Sequence, residues 1–271
     1  PTPEAVKDLL EWSKIAPEHL IGIEPVRGRA ITAEKLAINA VMAGCLPEHF
    51  PLVCESFSGM LKEPFMLHGA TASTGGCAVL VIINGPIRHE LGMNGTFNAL
   101  GSSDRATTVI GRAIRLILCN LLDARPGDAD RSTLGHPGKF SFCIAEDEEN
   151  TDWLSLAEER DIPHGVSAVT VMAAGSPRQI MNEWTTSPEE ILDTFVAEIK
   201  SCMRHYSIWP GNYAIVIPPQ LRVHFEESRW SKSNIRRYVF ENARIKRKEW
   251  RDCGKTAVVG NKGEKEYTAL K

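Results

Sequence analysis

The sequence predicts an α/β protein: a split βαβ (ferredoxin-like) N-terminal unit followed by a second α/β unit. Three observations lead there. Segments with the apolar period of a helix alternate with short β-branched runs. Cys77–Ile83, CAVLVII, is almost wholly apolar, as a strand buried on both faces must be. The 271 residues are 43% hydrophobic and 24% charged, enough for one large core or two smaller ones.

Pro3–Lys14 opens with proline and carboxylates and ends on lysine, the polarity of a helix. Leu20–Glu24 reads as a short strand. Thr32–Gly44 is a helix with Thr32 as cap and Ile38, Val41 and Met42 on its apolar stripe. Pro47 then turns the chain, and Glu48–Leu61 forms a second helix. Phe65–Ala72 and Cys77–Ile83 read as strands joined by Ser-Thr-Gly-Gly into a hairpin. A polar, glycine-rich segment, Asn84–Asp104, leads into a long helix at Arg105–Leu122. The irregular Asp123–Lys139 precedes a strand at Phe140–Ala145 and the acidic run Glu146–Asn150. A boundary near residues 150–163 divides the chain into units 1–150 and 151–271. The second unit reads as strand Val166–Ala173, helix Ser187–His205, strand Tyr213–Ile217 and helix Ser231–Ala243. Thr256–Val259 is a connecting stretch or strand without a following partner. The charged tail Asn261–Lys271 looks unfinished, as if the chain normally continued.

A net charge of −3 does not favour nucleic acid or an anionic membrane as partner. The one strong basic run, Arg244–Arg251, reads as a solvated helix end. No apolar run reaches the roughly 18–20 residues of a membrane span, and no signal-peptide pattern opens the chain. Seven cysteines, an odd number without CxxC spacing, fit free thiols in a reducing cytoplasm.

Chemistry concentrates where helices and strands give way to long polar segments. In AVMAGCLPEHFP, residues 40–51, a helix end brings Cys45, Glu48 and His49 close together. The C-terminal end of a helix dipole does not activate a thiol, so Cys45 needs His49, His68 or a metal to become a nucleophile. His68 is followed by small residues that leave room for a ligand. Irregular segments longer than about 12–15 residues in a compact domain are usually functional or disordered. Asn84–Asp104 retains Met93, Phe97 and Leu100, so it is expected to pack as an ordered, substrate-embracing loop. Asn84, Asn94, Asn98, Asp104, Arg105 and Glu146 are the expected substrate-binding residues. Cys45, His68, Asn84, Asp104 and Glu146 should share one pocket, within roughly 10–12 Å. Neither GxxxxGK nor a GxGxxG after a strand occurs, so no nucleotide cofactor is expected. A metal held by Cys45, His49, His68 and Glu146 is chemically consistent, though the spacing specifies none.

Several long strings resemble the UGSC-motif (seleno)protein family. They are AINAVMAGCLPEHFP, FMLHGATASTGG, VIINGPIRHELGMN, FNALGSSDRATTVIGRAIRLIL, ARPGDADRSTLGHPGKFSFCIAEDEE and WSKSNIRRYVFENARI, spread over roughly residues 1–245. The resemblance implies oxidoreductase-like chemistry. The name-giving tetrad, selenocysteine or cysteine followed by Gly-Ser-Cys, is absent, which marks this chain as a companion or partial member and implies a UGSC-bearing partner chain.

The expected function is therefore that of an enzyme or enzyme subunit performing thiol-dependent redox or addition chemistry on a small polar molecule. Cys45 would be nucleophile or ligand, with His49 or Glu48 as acid/base and His68 opposite. The alternatives are a metal-dependent hydratase or lyase, and a non-catalytic subunit that needs a redox partner chain. A homo- or hetero-oligomer is expected in either case.

Overall fold

The computed structural model describes residues 1–101, 103–205, 211–255 and 266–268. The chain forms two compact units, Pro1–Pro177 and Arg178–Lys271. The expected division at 150/151 falls inside the first of them.

The first unit opens with α1 (Pro3–Ser13), where Thr2 caps the helix through a bond from the Ala5 N–H. β1 (Leu20–Glu24) pairs antiparallel with β2 (Arg29–Thr32) in a separate two-stranded ribbon. Then come α2 (Ala33–Ala43) and α3 (Phe50–Leu61). The expected strand Phe65–Ala72 does not form. Pro64 helps set a 3₁₀ turn over Glu63–Phe65, and Leu67–Thr71 closes one helical turn, α4, with the Thr71 hydroxyl donating to Leu67 O at 2.7 Å.

β3 (Ala78–Asn84) is the centre of the main sheet. After the short α5 (Ile87–Glu90) and the long α6 (Arg105–Leu121), β4 (Cys143–Ala145) pairs parallel with β3. β5 (Ala168–Ala174) pairs antiparallel along the other edge of β3, from Ala78↔Ala174 to Asn84↔Ala168. Both edges of β3 are thus taken, which leaves no place for a hairpin partner from residues 65–72. It also ties residues 151–177 to the first unit. The α/β class stands, with β3–α6–β4 as its parallel βαβ crossover. The three strands run in the order β4-β3-β5, and β1 lies in a different sheet, so the split ferredoxin-like arrangement is not reproduced.

Alternation along β3 sorts the packing. Val79, Val81 and Ile83 join the large core with Leu36 and Ala40 of α2, Phe57 of α3, and Ile110, Ile114 and Ile117 of α6. Ala78 and Leu80 pack instead with Phe142 and Ile144 in a smaller cluster. Gly111 lets α6 press against the start of β4, because a Cβ there would stand 2.7 Å from Phe142 N.

The second unit contains α7 (Pro188–His205), α8 (Pro219–Glu227) and α9 (Lys232–Asn242), followed by β6 (Arg244–Lys246), α10 (Arg247–Asp252) and β7 (Glu266–Thr268). Ser231 and Asn234 form a reciprocal cap at the start of α9. β6 pairs antiparallel with β7. The basic run 244–251 spans β6 and most of α10 rather than one helix end. Tyr213–Ile217 forms no regular strand, and α8 follows where none was expected. Thr256–Val259 lies outside the described residues, as does all but 266–268 of the expected tail.

Candidate functional site at the carboxyl end of the parallel strands

Asn84 is the last residue of β3, and Glu146 follows the last residue of β4. In a parallel βαβ unit both strands release their chain at the same end, where ligands commonly bind. Asn84 is fully buried. Its Nδ2 donates to Glu146 Oε2 at 2.6 Å and to Glu148 Oε1 at 2.7 Å. Its Oδ1 is buried without a hydrogen-bond partner. Glu148 Oε1 also accepts from Gly85 N at 2.9 Å, and Glu146 Oε2 from Leu156 N at 2.8 Å.

Arg88 closes this acidic group. Its side chain is only 5% exposed and forks onto Glu149 through Nη2–Oε1 at 2.6 Å and Nη1–Oε2 at 3.2 Å. It reaches Glu148 at 3.1 Å and also donates to the carbonyls of Gly85 and Glu146. His89 meets the same Glu149 oxygen at 2.7 Å. The hydrogen bond from Arg88, aided by His89, outweighs burial and holds the Glu149 carboxyl down at about 2.

The N-terminus of α6 lies beside this end. Asp104 caps it, accepting from Thr107 N and the Thr107 hydroxyl at 2.8 Å each and from Asn94 N at 3.1 Å. Asn94 in turn donates to Phe97 O and Ser103 Oγ, and accepts from Thr96. Both side chains are thereby spent on building the loop. Gly95 brings that loop onto the end of β4, since a Cβ there would stand 3.1 Å from Ala145 O. Asn98 is exposed in the left-handed region. Arg105 donates to Gly44 O at 3.0 Å, tying the start of α6 to the end of α2.

Cys45 belongs to the helix-side core, together with Cys143. It is 7% exposed, and its Sγ lies 3.6 Å from Val109 O. Burial pushes its thiol up to about 12, and the charge of Arg105 offsets only part of that. The Cys143 thiol is pushed up as well, by burial first and then by Asp104 and Cys45. A thiol so buried is held in its protonated form, whereas the thiolate is the reactive one.

His49 is buried, and its Nδ1 accepts from Leu46 N at 3.1 Å, which places the proton of the neutral ring on Nε2. Burial lowers its pKa, while Glu48 and Asp104 pull it up and Arg105 adds to the lowering. Glu48 is half-buried beside it. His68 sits on α4 rather than on a strand, and its Nδ1 is buried without a partner.

The structure therefore joins Asn84 to Glu146 directly. It sets Asp104, Arg105, His49 and Cys45 within electrostatic reach of one another, and it links His68 to none of them by a hydrogen bond. Among the described residues, no three or more His, Cys, Asp or Glu side chains are grouped to hold a metal, so the four proposed ligands are not gathered. Sequence reasoning missed Arg88, Glu148 and Glu149. A sign lay in the pairing of a basic IRH with the acidic EDEE across the parallel strands, visible only once their ends are known to meet. Compared with known proteins, the chain matches no family model, no curated protein and no solved structure.

Proposed function

We propose that this chain is an enzyme, or the substrate-holding subunit of one, that performs acid–base addition or elimination on a small polar molecule. The molecule binds at the carboxyl end of β3 and β4. The observation that carries this reading is Asn84: one buried amide holds two carboxylates, while its own oxygen lacks a donor. A buried acceptor without a partner costs about 1–3 kcal/mol, and beside two carboxylates it makes a site rich in acceptors. A ligand presenting hydroxyl, amide or ammonium hydrogens satisfies it. Glu146 or Glu148 then serves as general base, Asn84 orients the reacting group, and neutral His49 stands near the helix start as a second proton carrier.

The resemblance to UGSC-motif proteins supports a small-molecule enzyme. The thiol-dependent branch of that chemistry loses support from the burial of Cys45. That burial instead favours a second reading, in which redox chemistry resides on a UGSC-bearing partner chain and this chain supplies the binding site.

The test is a calorimetric and activity screen of the purified chain against small polyols, amino acids and hydroxy acids, with Glu146→Gln and Cys45→Ala beside it. A hit lost by Glu146→Gln and kept by Cys45→Ala is expected. A hit that needs Cys45 and ignores Glu146 would overturn the reading. Binding without turnover until a partner chain is added would select the second reading.

A further inference from the structure

The opposite end of the same βαβ unit holds a cleft of about 450 Å³, within the size range of small-molecule sites. Arg115, Asp130, Arg131, Ser132 and Lys139 line it, with Leu134 and Pro126 as apolar lining. Arg115 lies ten residues along α6 from Arg105, about 15 Å at 1.5 Å per residue. The cleft is therefore separate from the site at the carboxyl end of the strands.

Its wall is fixed by internal bonds. Asp130, whose side chain is 4% exposed, accepts from Lys139 Nζ at 2.8 and 2.7 Å through its two oxygens. The Ser132 N–H also donates to it, at 3.2 Å, and Arg115 Nη1 lies 3.2 Å from Oδ2. Lys139 donates to Ser132 Oγ as well, at 2.7 Å, and the Ser132 hydroxyl lies 2.8 Å from Gly75 O. Thr133 N bonds to Thr74 O, and Gly127 N to Asp130 O. A segment as irregular as 123–139 thus spends its polar groups on holding one geometry.

The charge does not balance. Three cations, Arg115, Arg131 and Lys139, face a single carboxylate, leaving two positive charges. Arg115 commits one nitrogen to Asp130. Arg131 commits its Nε to Asp128 O at 3.2 Å, and its two terminal nitrogens have no partner among the described residues. Two guanidinium groups with nitrogens to spare, held on a rigid frame, match an oxyanion in the bidentate manner.

We infer that this cleft binds a small organic dianion, whose two negative charges are met by Arg115 and Arg131 and whose short carbon chain lies against Leu134. Phosphomonoesters and dicarboxylates share this chemistry. Asp130 acts as a positioning residue: it orients Lys139 and one edge of Arg115 and makes no contact with the ligand.

The experiment is isothermal titration of the full chain at low salt with glycerol phosphate and, separately, with succinate. Arg131→Glu is the main variant, since its side chain is exposed and its loss should leave folding intact. Lys7→Ala on α1 is the control. Saturable binding of one ligand in the millimolar range or tighter identifies the source of the dianion, and binding of both identifies a general oxyanion site. Arg131→Glu should weaken binding at least about tenfold with an unchanged melting temperature, and Lys7→Ala should bind as the parent does. No saturation with either ligand overturns the proposal, as does equal binding by Arg131→Glu.

Discussion

The two ends of the β3–α6–β4 unit are built as electrostatic opposites. At the carboxyl end one arginine, Arg88, gathers Glu148 and Glu149 beside Glu146. At the other end one aspartate, Asp130, gathers Lys139 and Arg115. In each case a single buried charge organises several charges of opposite sign and leaves a surplus. The difference lies in that surplus: at one end the buried Oδ1 of Asn84 lacks a donor, and at the other the terminal nitrogens of Arg131 lack an acceptor among the described residues. A buried, paired charge is weak evidence for stability, but removing the central partner strands the rest at a cost of about 3–5 kcal/mol. Deleting Arg88 and Asp130 in turn tests whether each holds its end together.

Arg88→Ala should have the largest effect, because Arg88 meets two carboxylates and two carbonyls from a nearly buried position. A loss of about 3 kcal/mol in urea unfolding is expected. A loss under about 1 kcal/mol would mean that the glutamates are solvated and that Arg88 does not organise them. Asp130→Asn comes next, at about 2 kcal/mol, since Lys139 and Arg115 are each 15% exposed and recover some hydration.

The two ends also differ in the acid limb of the stability profile. Burial raises the Asp130 carboxyl, but hydrogen bonds from Lys139 and Ser132 win and hold it at about 2, against an ordinary 3.8. Glu149 also lies at about 2, against 4.5. The unfolded chain therefore takes up protons first. The stability these groups confer is whole above about 4.5 and drains as pH falls toward 2. Arg88→Ala should flatten the Glu149 share and Asp130→Asn the Asp130 share. His49 works over a higher window: its folded pKa lies below 6.5, so protonation favours the unfolded chain as pH falls below 6.5. Titrating unfolding free energy against pH in the three proteins separates these contributions.

The smallest effect is expected at Cys45. Cys45→Ala removes one buried sulfur and should cost about 1 kcal/mol. In the native protein Cys45 should be alkylated by iodoacetamide more slowly than a free cysteine across neutral pH. Faster labelling would return it to the chemistry.

Much of the helical content was legible in local signals. Ser231 announces its helix by capping, and the apolar run 77–83 announces a central strand, because these depend on a few adjacent residues. Phe65–Ala72 misled because a short apolar run with small residues fits either a strand or a helical turn. What decided it was distant: β4 and β5 already occupy both edges of β3. The carboxyl-end segments could be located, since Asn84 and Glu146 mark where strands stop. Their organiser, Arg88, could not, because its partners lie about sixty residues away. The cleft around Asp130 was hidden for the same reason. Its segment was recognisably too long for a connector and holds Arg131 and Lys139, but Arg115, which completes the cleft, comes from α6. Cys45 shows the converse: neighbours in sequence suggested an accessible thiol, and packing in the helix-side core buries it.

The most direct test of the central claim is to map a small-molecule hit by amide chemical shifts on isotope-labelled protein. A donor-rich hit from the polyol and amino-acid screen should perturb Asn84, Gly85, Glu146 and Glu148 and the start of α6 at Arg105, and Glu146→Gln should abolish those shifts. Perturbations centred instead on Cys45 and α3, with residues 84–85 and 146–148 unmoved, would contradict it.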